Sequence, residues 1–139
     1  MSWLGYAFVS AVAAALTAIL AKVGVEGVPS NLATAIRTIV ITAFAWGIVV
    51  ATGERHAMAG VSRRSLVFLL LSGVATGVSW LAYFRALQLA PASQVSPIDK
   101  LSLPLTIVLA GALLGEAISW RLGVGVALMT VGAILTIWH

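Results

Sequence analysis

The chain contains no cysteine, which excludes disulfides and thiolate metal sites. It is also poor in charge, with eight Lys or Arg and four Asp or Glu, 9% of its 139 residues. Soluble domains carry about 25% charged residues, so this chain has too few to coat a water-facing surface. Its two histidines, His56 and His139, lie in a loop and at the terminus. No metal-ligand spacing exists, and no Ser/His/Asp set assembles at membrane depth, so neither an enzyme nor a metal or other cofactor is expected. The formal charge of +4 has no solvated basic face to sit on, which argues against a nucleic-acid partner. What the chain has in abundance is hydrophobic side chains, 61% of the total. Lipid is the solvent that suits such a surface.

Five apolar stretches stand out, at residues 3–21, 32–51, 66–89, 95–114 and 120–138. Each is close to the ~20 residues a helix needs to cross ~30 Å of hydrocarbon. Backbone groups in lipid must satisfy one another, which favours helices, and the short alternating strands of a barrel are absent. The expected fold is therefore an all-α integral membrane protein of five transmembrane helices, one domain over 1–139. The first stretch lacks a positive start and precedes four more, so it reads as a retained helix rather than a signal peptide. Thr52 to Ser65 reads as the one substantial polar loop, and Ser30 or Asn31 as a helix cap. Glu116 reads as capping the transition into the fifth span.

Orientation is poorly specified. Arg55, Arg63, Arg64 and Arg121 flank one side and Lys22 the other, four against one. Adding Arg37, Arg85 and Lys100, which lie near the second boundary, makes it four against four. The loop count favours a cytoplasmic N-terminus, and the fuller count permits insertion both ways.

Polar residues inside the spans recur at helical spacing. Tyr6, Ser10 and Thr17 share a face of the first span, and Thr34 and Thr38 a face of the second, with Arg37 on its flank. Ser72, Thr76, Ser79 and Tyr83 form a line on the third, with Trp80 beside it. Asp99, Ser102 and Thr106 align on the fourth, whereas Thr130 and Thr136 make no line on the fifth. Either four helices share a polar cavity, or the hydroxyls bond their own backbones and glue helices together. Gly73/Gly77, Gly111/Gly115 and Gly125/Gly132 are spaced for close helix packing within the fold. A charge at bilayer depth costs about 2.5–3.5 kcal/mol. Arg37 and Arg85 either snorkel to the headgroups or face the cavity, to meet an anionic group or Asp99. Asp99 and Lys100 are expected in the first turn of the fourth helix, at its positive dipole end. Pro104 deletes a backbone donor and frees the Lys100 carbonyl. The candidate substrate-binding set is Arg37, Ser72, Thr76, Ser79, Trp80, Tyr83, Arg85, Asp99, Lys100 and Ser102.

Several of these residues also form a recognisable series: Tyr83 and the Arg-Ala-Leu run to Leu87, an Ala-Pro-Ala-Ser turn, Pro-Ile-Asp-Lys-Leu-Ser at Pro97 to Ser102, and Leu-Gly-Glu at Leu114 to Glu116. Ser72 to Glu116 thereby resembles the core of an EamA-type domain, the repeat unit of the drug/metabolite transporter superfamily. Ala21-Lys22 at the end of the first span and Arg37 early in the second agree, so the resemblance covers nearly the whole chain. It implies one five-helix repeat where typical members have two, inverted relative to each other. The working transporter would then be a homodimer, antiparallel with one copy inverted relative to the other, and a small-molecule substrate site between the copies. The resemblance also implies a multi-pass protein of the cell membrane, the inner one if bacterial. Small multidrug exporters of this superfamily rely on a carboxylate in their first helix, and here Trp3 to Ala21 contains none. Arg37, Arg85 and Lys100 suit a neutral, zwitterionic or anionic metabolite better than a cationic drug. A non-transporting membrane subunit and a passive channel remain as alternatives.

Overall fold

The computed structural model describes residues 2–138, and all regular structure among them is helical. Helices α1 (Trp3–Gly24), α2 (Ser30–Ala51) and α3 (Arg63–Leu89) are long and apolar enough to cross a membrane, as is the stretch Ala92–Leu114. The latter is divided into α4 (Ala92–Asp99), α5 (Ser102–Leu109) and a π-helical turn at Ala110–Leu114. A shorter apolar helix, α6, covers Trp120–Leu135. Few of their side chains are buried: Ala18 in α1, Thr34 in α2, and Phe84 and Leu87 in α3. Ile39, Phe44 and Leu69, at 66–71% exposure, show the apolar surface that lipid must cover.

The helix boundaries depart from the expected ones for local reasons. Neither Ser30 nor Asn31 caps α2. Pro29 takes that place, with an extended backbone and its carbonyl accepting from Ala33 N at 3.0 Å. The loop after α2 is not wholly irregular, since a 3₁₀ helix occupies Glu54–Gly60. Helix α3 starts early because Ser62 Oγ accepts from Ser65 N at 3.0 Å. Arg63 and Arg64 therefore sit in its first turn. The fifth span is shorter than 120–138 as a helix. At 16 residues α6 is about 24 Å long, and i→i+3 bonds tighten the chain from Thr136 to Trp138. Its cap is the Ser119 side chain, which accepts from Leu122 N, and not Glu116.

The largest correction concerns the fourth span. Its helix begins right after Pro91, whose extended backbone forms the N-cap. Asp99 thus ends an eight-residue helix instead of opening one, and the next helix, α5, starts three residues later at Ser102. Pro104 cannot donate to the Lys100 carbonyl, and Leu103 N does so at 3.0 Å. That tighter bond accompanies the break between α4 and α5. The π turn ends at Gly115, whose φ of 69° suits glycine, with Gly115 N and Glu116 N both bonded to the Ala110 carbonyl.

The chain divides into two compact units. Leu20–Leu89 forms one, in which α2 packs on α3. The contact of Arg37, near the start of α2, with Trp80 and Phe84, near the end of α3, makes these two helices antiparallel. The other unit holds the chain up to Ile19 and from Ala90 onward, with α6 packed on α4 and α5. Of the paired glycines, Gly111 faces Ile118 closely. Gly73, Gly77, Gly125 and Gly132 have no described neighbour within 4 Å of an added Cβ, so they do not serve the tight packing within the chain that their spacing suggested.

Candidate functional site

Arg37 is the eighth residue of α2, about 10 Å along its axis. Its guanidinium carbon stands 4.4 Å from the centre of the Trp80 ring and 5.4 Å from that of Phe84. These two rings are four residues apart on α3 and therefore share a face. Tyr83 meets Phe84 edge-on, with centroids 6.5 Å apart. Arg37 thus neither reaches for the headgroups nor finds a carboxylate. It lies half-buried against aromatic faces, which attract a cation through their quadrupoles. A guanidinium stacked this way keeps its N–H edges for hydrogen bonding. Among the described residues none accepts a hydrogen bond from it.

The hydroxyl line on α3 divides by residue type. Thr76 turns back to the Ser72 carbonyl at 2.9 Å, as Thr34 does to Ser30 and Thr38 to Thr34. The threonines thereby follow the own-backbone alternative. Ser72 and Ser79 are exposed and make no side-chain bond to the described residues, so they are the members of the line able to meet water or a ligand. Tyr83 is half-buried.

Arg85 stands in different surroundings. Its Nη1 donates to Gln88 Oε1 at 3.0 Å, while Gln88 Nε2 donates to the Val28 carbonyl at 2.7 Å. Lys22 Nζ donates to the carbonyl of the fully buried Leu87. Leu87 lies in the last turn of α3, where carbonyls lack helical partners and the dipole favours a cation. The end of α1, the following turn and the end of α3 are therefore tied together. A pocket of about 290 Å³ lies among them, lined by Lys22, Glu26, Arg85 and Gln88 together with Val25, Gly27, Leu87 and Leu89. In the sequence Lys22 reads as a topology signal, and nothing in the spacing marks Glu26 or Gln88. Phe84 was visible as the residue one turn after Trp80.

Asp99, Lys100 and Ser102 belong to the other unit and flank the break in the fourth span. Asp99 Oδ2 and Lys100 Nζ are 3.4 Å apart and well exposed, so the pair contributes little stability. Ser102 opens α5 and its carbonyl accepts from Thr106 Oγ1 at 2.8 Å. Among the described residues there is no cluster of three potential metal ligands. His56 accepts from Arg55 Nε at 3.4 Å, and His139 lies outside the described residues.

Residues 1–138 match the EamA-like transporter family. The chain belongs to that family. A curated relative, an uncharacterized transporter in the cobO 3′ region of Sinorhizobium sp, is 47% identical over 134 residues, covering 96% of this chain and 95% of the relative. No solved structure matches. The EamA-like assignment and the long apolar helices together make this a membrane protein.

Proposed function

We propose that this EamA-like chain transports a small metabolite across a cell membrane, working as a homodimer in which one copy is inverted, and that it performs no enzymatic reaction. The observation that carries this reading is Arg37, a permanent cation stacked on Trp80 and Phe84 part-way along a span. A charge there costs up to about 3 kcal/mol. Cation–π attraction offsets part of it and leaves the guanidinium edge able to hold an oxyanion or a carbonyl of a substrate. The solute is neutral, zwitterionic or anionic. Ser72, Ser79, Thr76 and Tyr83 are the polar residues that go with Arg37 in this reading, and Asp99, Lys100 and Ser102 at the broken fourth span are a separate polar group on the other unit. Broken helices with exposed polar ends suit ligand sites in transporters. Arg85 stands apart from this set, at the helix ends beside Gln88.

The relative of nearly equal length supports a working protein of one repeat. The open faces at Gly125 and Gly132 on α6 suit contact with a second copy. Because the chain has no cysteine of its own, single cysteines test both parts of the proposal. Cysteines at Ser79 and Ser102 should react with a water-soluble thiol reagent faster than one at the exposed, apolar Leu128. A cysteine in the Thr52–Ser65 loop should be labelled from outside intact cells in roughly half the molecules, as weak charge bias permits. Equal rates at Ser79, Ser102 and Leu128 sink the cavity. Complete labelling or complete protection of the loop sinks the inverted pair.

A further inference from the structure

The pocket at the ends of α1 and α3 has a chemistry that transport through the Arg37 site does not use. It brings Lys22 and Arg85 to one cavity with Glu26. The carboxylate of Glu26 makes no ion pair among the described residues, although two cations line the same pocket. A purely anionic ligand there would meet Glu26, and a purely cationic one would meet Lys22 and Arg85. A ligand with an oxyanion and an ammonium a few atoms apart satisfies both. The helix ends add to this pattern, because α1 and α3 both direct their C-terminal, partially negative ends here, which favours an ammonium.

Position identifies the source of such a ligand. Helices α1 and α3 are each long enough to cross the bilayer and end at Gly24 and Leu89. Their ends therefore lie at the level of lipid headgroups. The remaining lining includes Val25, Leu87 and Leu89, and Leu89 is 73% exposed, an apolar rim beside the charges. The volume of 290 Å³ equals about ten liquid-water volumes of ~30 Å³ each, room for a phosphoethanolamine group. The geometry points to a binding site for the head of a zwitterionic aminophospholipid, its phosphate on Arg85 beside Lys22 and its ammonium on Glu26. Arg85 suits the phosphate because the planar guanidinium offers several donors, of which one already holds Gln88. The primary ammonium can donate a charge-assisted hydrogen bond to Glu26, which a quaternary choline cannot. The site stands whether or not the chain transports a metabolite.

Lipid retention by the purified, detergent-solubilised protein, read by native mass spectrometry, tests this. The probes are phosphatidylethanolamine, phosphatidylglycerol and phosphatidylcholine, with soluble phosphoethanolamine and glycine as competitors. The wild type should retain phosphatidylethanolamine best. Glu26→Gln should abolish the preference over phosphatidylglycerol, a loss of about tenfold for one charge-assisted contact. Arg85→Gln should weaken both lipids, and Arg85→Lys should keep part of the binding. Both residues are exposed, so the lipid-free variants should melt with the wild type. Phosphoethanolamine should compete and glycine should not. The proposal is overturned if Glu26→Gln and Arg85→Gln retain phosphatidylethanolamine as the wild type does. It is equally overturned if phosphatidylglycerol is preferred by the wild type, the mark of a plain basic patch. Binding of glycine with no retention of phosphatidylethanolamine would make the ligand a solute and overturn the lipid assignment.

Discussion

Replacing Arg37 by methionine keeps an unbranched apolar stem and removes the charged guanidinium, and the structure sets two opposing terms for the result. The loss is the attraction to Trp80 at 4.4 Å and Phe84 at 5.4 Å. Such contacts are worth ~0.5–1 kcal/mol when exposed and ~2 when desolvated. Arg37 is half-buried, so the two together contribute roughly 1.5–3 kcal/mol. The gain is the cost of holding a charge at depth. That cost is about 2.5–3.5 kcal/mol at the bilayer centre, and less at about 10 Å from a helix end. The terms nearly cancel, so Arg37→Met should leave stability within about 1 kcal/mol of the wild type. Trp80→Leu has no such compensation, because it leaves the charge in place and takes away its larger partner. It should destabilise by about 2 kcal/mol alone and by much less in the Arg37→Met background. The coupling energy in a double-mutant cycle should be about 1–2 kcal/mol, measured by reversible unfolding in mixed micelles. Additivity within ~0.5 kcal/mol, or a large destabilisation by Arg37→Met alone, would refute the reasoning.

Two further outcomes follow from the ends of the helices. Lys22→Met removes the charged donor to the Leu87 carbonyl, which should cost about 1–3 kcal/mol and speed amide exchange in the last turn of α3; unchanged exchange there would contradict the tie between α1 and α3. Gly115→Ala, at φ 69°, should cost about 1–2 kcal/mol, whereas Gly111→Ala should cost under ~1 kcal/mol because the one tight contact of the added methyl is the movable Ile118 Cδ1 at 2.9 Å, the Glu116 carbonyl being at 3.6 Å; the reverse order in melting temperatures would contradict both assignments.

Hydropathy made the long helices legible, because lipid imposes length and apolarity on every spanning segment. It could not locate helix ends, which depend on single caps. Ser62 and Pro91 each extend a helix by three residues beyond its apolar run, since capping chemistry tolerates the polar residues that hydropathy rejects. Pro104 was recognisable as a lost donor, yet not as a break, because the outcome depends on whether Leu103 tightens onto the Lys100 carbonyl. Asp99 was misplaced for the same reason: its distance from the helix start follows from Pro91. For the site, Trp80 and Tyr83 stand out in the sequence, and Trp80 is one of the rings on which Arg37 stacks. The stacking of Arg37 on Trp80 and Phe84 was not legible, because it depends on the register between α2 and α3. The pocket around Glu26 and Gln88 depends on a turn folding back on α3, which no periodicity encodes.

Flux through proteoliposomes tests the central claim most directly. The solute would be a metabolite chosen because it raises the melting temperature of the purified wild type, supplied in radiolabelled form. The account predicts uptake that saturates with concentration, and loss of that uptake in Arg37→Met although the variant stays folded. Flux that rises linearly without saturation would make the protein a channel. Stabilising metabolites that are never carried, or uptake indifferent to Arg37→Met, would contradict a transporter built around Arg37, Trp80 and Phe84.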